Sequence, residues 1–398
     1  MGWGAGGSCT PRPPIRQQPL SEPRVITVVF LGLLLDLLAF TLLLPLLPGL
    51  LESHGRAHDP LYGSWQRGVD WFATAIRMPA EKRYNSVLFG GLIGSVFSFL
   101  QFLLAPVTGA VSDCLGRRPV MLLSLAGLAT SYAVWAASKS FAAFLASRVI
   151  GGISKGNVSL STAIVADLGS PSARSRGMAV IGVAFSLAFT LGPMLGAFLP
   201  AEMVPWLALL FAASDLLFIF CFLPETLPAE KRVRWVPEPA GLLGPQCLRG
   251  PLPLGPGLTG SPAPSLQQGK MFFFIGLTMA TVQGAYARKI SPGSEIAAVK
   301  RVRGSPGRVG GRPSAAVVVP CLSSVVADYG LPRQKGTIMG TLRSLGALAR
   351  AVGPMVAASV YWLAGARVCF TVCSGLFLLP FLLLRNLRPP ARVAPKAE

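Results

Sequence analysis

Long apolar runs constrain the fold of this chain more than any other feature. The run from Val25 to Leu47 carries one charge, Asp36, and the run from Arg148 to Asp167 is apolar or small almost throughout. Each is long enough for a helix to cross a hydrocarbon core of roughly 30 Å. Lipid offers the backbone no hydrogen-bond partners, so a spanning segment must satisfy its own peptide groups. The sequence therefore predicts an all-α polytopic membrane protein.

The composition supports this class and argues against nucleic-acid binding. The chain is 52% hydrophobic and 13% charged, whereas soluble domains are about one quarter charged. The net charge of +20 comes from Lys and Arg scattered through short loops, without the basic stripe of a DNA or RNA binder. We therefore expect the lipid bilayer, and no nucleic acid, as a partner.

The residues that support enzymatic or metal chemistry are sparse. The seven cysteines form no CxxC cluster, and the chain has only two histidines. We find no Ser-His-Asp set and no phosphate-binding loop in the sequence. We therefore expect neither an enzyme nor a metal or cofactor site.

The chain divides into five regions. Residues 1–24 carry three arginines, and the positive-inside rule places them in the cytosol. Residues 25–223 form a six-helix bundle, 224–269 a Pro/Gly-rich cytosolic linker, 270–388 an incomplete second bundle and 389–398 a basic tail. The predicted spanning helices lie at about 25–47, 86–107, 120–137, 141–166, 178–199, 205–223, 336–363 and 368–384.

An internal repeat relates the two bundles. STAIVAD at 161–167 is similar to LSSVVAD at 322–328, and the Gly192-Pro193 segment recurs at Gly353-Pro354. Both matches have the same offset of 161 residues. Two related helical bundles are typical of secondary transporters, whose substrate site lies between the halves.

The second bundle lacks some of its counterparts. The first half of helix four would correspond to residues 302–321, whose Arg, Gly and Pro content rules out an ordinary spanning helix. Counterparts of helices one and three are also absent. This pattern suggests an alternatively spliced product, so a truncated isoform that does not transport, or that acts as a membrane partner protein, is an open alternative.

Several motifs resemble those of the major facilitator superfamily. The segment Gly109-Ala-Val-Ser-Asp113-Cys-Leu-Gly116-Arg117-Arg118 resembles its loop motif between helices two and three. Arg148-Val-Ile-Gly-Gly resembles its helix-four motif, and Gly192-Pro193-Met-Leu-Gly196 its helix-five motif. Leu35-Asp36, followed by Pro45 and Pro48, is most similar to the first helix of the twelve-helix tetracycline/proton antiporters.

The resemblance implies a two-bundle fold with a complete six-helix N-terminal bundle and a truncated C-terminal one. It also implies a secondary active transporter of amphipathic organic anions or drugs, working by alternating access as a monomer. Such a carrier is driven by protons or by exchange, and it resides in the plasma membrane or an internal membrane.

Charged residues at mid-depth are the candidates for substrate binding or proton coupling. Asp36, Lys155, Asp215 and Arg350 all fall near the middle of predicted helices. Arg148 precedes Lys155 by two helical turns, and Arg343 precedes Arg350 likewise, which predicts that each pair shares a face. In one interpretation Asp36 or Asp215 exchanges a proton while the cations attract an anion. In the other, Asp36 and Lys155 form a permanent ion pair that holds the bundle together.

The loop motif is a candidate gate. The resemblance implies that Asp113 caps a helix of the other half while Arg117 or Arg118 pairs with Asp167, and that this network breaks as the halves move. Arg117 and Arg118 could instead be ordinary positive-inside anchors. Gly116 suits a tight turn. In helix five, Gly192, Pro193 and Gly196 predict a kinked helix that packs closely, with a role in limiting leak implied by the family.

Overall fold

In the computed structural model, the described residues are 22–47, 60–78, 86–228, 230, 232–233, 323, 326–327 and 334–386. Most of these residues are α-helical, and none of them forms a strand. Residues 1–21, most of the linker and of the region 270–333, and the tail 389–398 lie outside the described residues. The helices are α1 Glu22–Thr41, α2 Pro60–Ala75, α3 Ser86–Leu115, α4 Arg117–Ala136, α5 Phe141–Ser154, α6 Asn157–Ala166, α7 Pro171–Phe198, α8 Val204–Phe222, α9 Lys335–Ala364 and α10 Ala366–Asn386.

Among the described residues, seven spans are long and apolar enough to cross a bilayer, counting α5 and α6 as one continuous crossing. Six of them correspond to the predicted helices of the N-terminal bundle, and α9 corresponds to the helix predicted at 336–363. Large apolar side chains on these helices face outward, as expected beside lipid: Leu123, for example, is 71% exposed and Leu217 64% exposed. The chain is therefore a multi-pass membrane protein.

The predicted fourth helix is divided in the structure. Helix α5 ends at Ser154, the backbone of Lys155 leaves the helical region, and α6 begins at Asn157. The hydroxyl of Ser124 stabilises the break, because it donates to the carbonyl of Ser154 and accepts from the amide of Gly156. Glycine also weakens a helix at this position. The expectation of one continuous helix here was wrong.

Other helix ends also differ from the predicted ones. The first helix ends at Thr41 rather than Leu47, and the second continues through the first part of the loop motif to Leu115, just before Gly116. Helix α7 begins at Pro171, because Ser170 caps it by accepting a hydrogen bond from the amide of Ala173. The spacing of apolar residues could not locate these ends. The start of α7 depends on its Ser170 cap, and the end of α3 on a polar segment that remains helical.

The N-terminal bundle packs around the short helix α6. Helix α1 lies against α7 and α8, while α4 packs on both α5 and α8. All ten residues of α6 are buried. This helix therefore runs through the protein interior from the break at Lys155 to Asp167 at its end.

Helix α9 crosses α3 at very short range. A side chain at Gly109 would collide with the backbone of Gly336, and one at Gly340 would meet the backbone carbonyl of Ala105. One helical turn further on, the hydroxyl of Ser344 donates to the carbonyl of Phe102 at 2.7 Å. Small residues permit membrane helices to approach each other this closely. These contacts hold α9 of the second half against α3 of the first.

Candidate functional site

A buried ion pair lies in the interior of the N-terminal bundle. Nζ of Lys155 donates to Oδ1 and Oδ2 of Asp36 at 2.8 and 2.7 Å. The two residues are 5% and 3% exposed, and the ammonium also lies 5.1 Å from the centre of the Phe40 ring. An aromatic face adds a favourable contact to a desolvated cation. The geometry fits both interpretations of the pair, as a structural link and as an exchangeable one.

The helix break leaves the backbone carbonyl of Lys155 available for a contact with another helix. Because α5 has ended, the backbone carbonyl of Lys155 accepts a hydrogen bond from Nε2 of Gln101 on α3, at 3.2 Å. The other end of the same amide, Oε1, accepts from the guanidinium of Arg350 on α9 at 2.8 Å. Gln101 thus links the backbone at the helix break in the first half to the guanidinium of Arg350 in the second half.

The two predicted arginines of α9 have different surroundings. Arg350 is partly exposed, and its guanidinium donates to Gln101. Arg343, two turns earlier, is partly buried, and its guanidinium lies 5.5 Å from the centre of the Phe185 ring on α7. Both therefore lie at the boundary between the halves, where an anionic group could contact them.

Asp215 lies inside the bundle without a hydrogen bond on one of its oxygens. It is 1% exposed, and within the described part of the chain Oδ1 has no hydrogen-bond partner. Helix α1 approaches it closely, because a side chain at Gly32 would come within 3.0 Å of that oxygen. An unpaired charge at this buried position would be costly.

Arg148 does not join the Asp36–Lys155 pair. Its guanidinium lies over the rings of Trp135 and Phe144, at 5.0 and 5.4 Å, and its Nε donates to the hydroxyl of Ser147. No carboxylate of the described residues is within salt-bridge distance of it. The prediction that it shares a helix face with Lys155 fails, because α5 ends before Lys155.

The loop motif forms a network across the two halves. Oδ1 of Asp113 accepts from the amide of Gly336 at 2.9 Å, and Oδ2 accepts from the amide and hydroxyl of Thr337 at 2.8 and 2.7 Å. Arg117 pairs with Asp113 at 2.8 Å and with Asp167 at 2.9 Å. Burial raises the pKa of Asp167 above its ordinary value, against the opposing effect of the Arg117 guanidinium. Through its bonds to Gly336 and Thr337, the carboxylate of Asp113 caps the N-terminus of α9, where the helix dipole favours negative charge.

A second carboxylate supports the same motif. It belongs to the segment Leu223-Pro224-Glu225-Thr226, which resembles the family's segment closing helix six, but the sequence predicted no contact for it. Glu225 accepts from the backbone amides of Arg117 and Arg118, at 2.9 and 3.2 Å, and so caps α4. Gly116 has φ +109, and a side chain there would come within 2.6 Å of that carboxylate. Arg118 donates to the carbonyl of Phe220 and does not pair with Asp167. The conspicuous Leu-Pro-Glu-Thr segment was the available signal for Glu225.

The helix-five motif packs α7 against α1. A side chain at Gly192 would collide with the hydroxyl of Thr41, which also donates to the carbonyl of Ala188 at 3.0 Å. A side chain at Gly196 would meet the backbone of Leu42. Pro193 is buried within α7, which continues through it to Phe198. The motif thus brings two helices together at the end of the bundle opposite the gate network.

Comparison with known proteins identifies the class. The model of the Major Facilitator Superfamily matches residues 29–295, and the chain belongs to this family. Its members are membrane transporters and not enzymes. This confirms the expectations that the chain is a transporter and that it is not an enzyme.

Individual relatives are similar over all or part of the chain. Major facilitator superfamily domain-containing protein 10 of Bos taurus is 70% identical, covering all of both chains. A crystal structure of the human organic anion transporter MFSD10 (TETRAN) has a TM-score of 0.82 at 67% identity, covering 92% of this chain and all of that one. The class D tetracycline resistance protein of Salmonella ordonez is 30% identical over 56% of this chain and half of its own length. These similarities confirm the resemblance to tetracycline transporters and the all-α two-bundle fold class.

The alignment with the Bos taurus relative also shows how much shorter this chain is. The match to the Bos taurus relative runs over 458 residues, whereas this chain has 398. About 60 residues of the relative, the difference between these lengths, therefore have no counterpart here.

Proposed function

We propose that this protein is a secondary active transporter of amphipathic organic anions or drugs. One observation carries the proposal: the amide of Gln101 joins the backbone carbonyl of Lys155 in the first half to the guanidinium of Arg350 in the second half. Cations within membrane-spanning helices are costly and mark substrate paths. The organic anion transporter named above, with 67% identity to this chain, supports an anionic substrate.

Alternating access requires a contact that can break between the halves. The Asp113 cap on α9 and the Arg117–Asp167 pair supply it, because they are polar, compact and confined to one end of the molecule. In the described conformation this end is closed. Opening exchanges these bonds for water, so the network sets the relative population of the two states.

Proton coupling would use the carboxylates beside the cations. An anion that takes over the ammonium of Lys155 leaves Asp36 without its partner, and a lone buried carboxylate gains a proton readily. Asp215, which already has an oxygen without a hydrogen bond, is a second proton site. The structural alternative is that the Asp36–Lys155 pair never opens.

Uptake into proteoliposomes distinguishes these interpretations. We expect Asp36→Asn to transport a labelled organic anion with no acceleration by a pH gradient, while the matched Asp70→Asn change on α2 keeps the acceleration. Uptake by Asp36→Asn with unchanged pH dependence would remove the proton role from Asp36.

The missing residues favour a second candidate, a membrane protein that does not transport. Side-by-side uptake by this chain and by the Bos taurus relative, at equal reconstituted amounts, discriminates between the two. Uptake by the relative alone would assign the chain to the second class. Mapping the transcript across the codons for 236–314 shows whether the segment that replaces the helices continues in frame.

The orientation follows from the same positive-inside argument as before. We propose that the N-terminus and the gate network lie on the cytosolic side of the plasma membrane or an internal membrane, and that the carrier acts as a monomer.

A further inference from the structure

A short helix contacts both halves at the end of the molecule opposite the gate. Helix α2 spans Pro60–Ala75, between the first two spans, and residues 76–78 continue from its end. We call residues 60–78 the latch segment. Its end lies against Trp362 of α9, about seven helical turns and roughly 40 Å beyond Gly336 at the gate. The latch segment and the gate therefore contact opposite ends of the same helix.

The first part of the latch segment is anchored to the N-terminal bundle by aromatic contacts. The ring of Tyr62 stacks on Phe89 of α3 with centroids 4.9 Å apart, and it forms an edge-to-face pair with Phe141 of α5 at 5.3 Å. The ring of Trp65 lies 6.4 Å from that of Phe89. Aromatic pairs at these separations attract each other beyond the burial of their area. This part of the segment therefore belongs to the first half.

The last part of the latch segment packs on the second half. Ala73, Ile76 and Met78 are at most 3% exposed and form an apolar cluster. Ala358 and Trp362 of α9 pack against this cluster. These two residues are four positions apart and so share one face of the helix. The contact with α9 is therefore apolar, in contrast to the polar network at the gate.

A turn with one unfavourable backbone conformation directs these side chains onto α9. The amide of Arg77 donates to the carbonyl of Thr74 at 3.0 Å, and the amide of Met78 to that of Ala73 at 2.9 Å, which is the Schellman pattern of a helix end. Glycine usually takes the left-handed position of this pattern, but here Arg77 does, with φ +56. It is the one non-glycine residue with positive φ in the described part of the chain. Its side chain is exposed, so the position contributes its backbone conformation and no buried contact.

We infer that the latch segment is a releasable connection between the halves, and that it is the counterpart of the Asp113 gate at the opposite end. The inference rests on the alternating access of the proposed function. In the described conformation both ends of α9 are held to the first half, at Gly336 by the gate and at Trp362 by the latch segment. Access from the latch end requires Trp362 to leave the cluster, while the aromatic contacts keep the segment on the first half. The left-handed conformation of Arg77 weakens this connection, because a residue with a side chain is disfavoured there.

Two substitutions at Arg77 test the connection without changing a packed side chain. Both remove the same charge, but glycine adopts the left-handed conformation readily whereas the β-branched valine is a rare outlier there. The difference corresponds to a change in population of roughly tenfold or more. We therefore expect the released state to be at least tenfold more populated in Arg77→Val than in Arg77→Gly. Trp362→Ala removes the α9 side of the contact, and it provides a second variant should Arg77→Val fail to fold.

The labelling rate of buried cysteines with a small water-soluble maleimide reports the released population, in a protein whose own cysteines are replaced by Ser. Ala73→Cys lies in the cluster at 0% exposure, and Ala351→Cys lies on α9 at 4%, about two turns before Ala358. Met339→Cys, at 1%, lies beside the gate. Ala73 reports the end of the segment, Ala351 reports separation of α9 from the first half, and Met339 is the control for general loosening.

The expected result is labelling of Ala73→Cys and Ala351→Cys at least tenfold faster in Arg77→Val than in Arg77→Gly, with Met339→Cys changed by less than twofold. Trp362→Ala should accelerate Ala351→Cys likewise. Equal rates at Ala351→Cys in the two Arg77 variants would overturn the inference, also where Ala73→Cys reacts faster, since that result shows only fraying of the segment's end. A tenfold rise at Met339→Cys as well would show general loosening and would overturn it too. These results concern labelling alone, so they leave the proposed function to be decided by uptake.

Discussion

Replacing Asp113 by Asn should shift the protein toward its gate-open state. The carboxylate accepts three hydrogen bonds from Gly336 and Thr337 and pairs with Arg117. Asn keeps one acceptor oxygen in place of two and loses the charge. Hydrogen bonds to charged groups contribute about 1.5–3 kcal/mol each and neutral ones about 0.5–1.5 kcal/mol. We take a net loss of about 2 kcal/mol, which corresponds to about a 30-fold rise in the open population.

The labelling rate of a buried cysteine reports this population. Met339 lies on α9 close to the gate, is 1% exposed, and takes no part in the hydrogen bonds of the network. In a protein whose own cysteines are replaced by Ser, Met339→Cys should react with a maleimide only when α9 separates from α3. When opening is fast relative to labelling, the rate is proportional to the open fraction.

We expect Asp113→Asn to raise this labelling rate by one to two orders of magnitude, and Asp70→Asn to leave it unchanged. Asp70 is a suitable control because, among the described residues, its carboxylate accepts from Gln66 of the same helix and makes no contact with the gate. A rate that Asp113→Asn alters by less than twofold would refute the reasoning, since the cap would then contribute nothing to closure.

Two further changes test the interior of the N-terminal bundle. Lys155→Ala should cost about 3–5 kcal/mol, because it leaves the Asp36 carboxylate buried and unpaired, and adding Asp36→Asn should recover most of that cost; thermal unfolding of both variants checks this, and equal losses would contradict it. Gly192→Ala should destabilise by about 1–3 kcal/mol through its collision with Thr41, whereas Gly91→Ala, which meets open space, should not; equal melting temperatures of the two variants would show that the close approach is unimportant.

Much of the fold could be predicted from sequence, because apolar runs of membrane length are encoded locally. These runs located the seven spans found among the described residues. The gate contacts were instead implied by the resemblance of the loop motif, which gave Asp113 as the cap of a helix in the other half and Asp167 as the partner of Arg117 or Arg118. The structure has this cap and the Arg117–Asp167 pair.

The centre of the candidate site was harder to predict, because it depends on contacts between distant segments. The break at Lys155 arises from the Ser124 hydroxyl on another helix, so the periodicity of the fourth helix gave no sign of it. Gln101 is a single amide within an apolar helix, and its two hydrogen bonds join residues 54 and 249 positions away. A lone amide at membrane depth is a usable signal, since an unpaired one would be costly.

The most direct test of the proposed anion site is uptake by an arginine variant of α9. Labelled organic anion would be measured in proteoliposomes that contain wild type, Arg350→Gln or Arg367→Gln, the last being an exposed arginine on α10. We predict that Arg350→Gln loses at least nine tenths of the uptake while Arg367→Gln retains it. Equal uptake by all three proteins would contradict an anion site at the meeting of Lys155, Gln101 and Arg350.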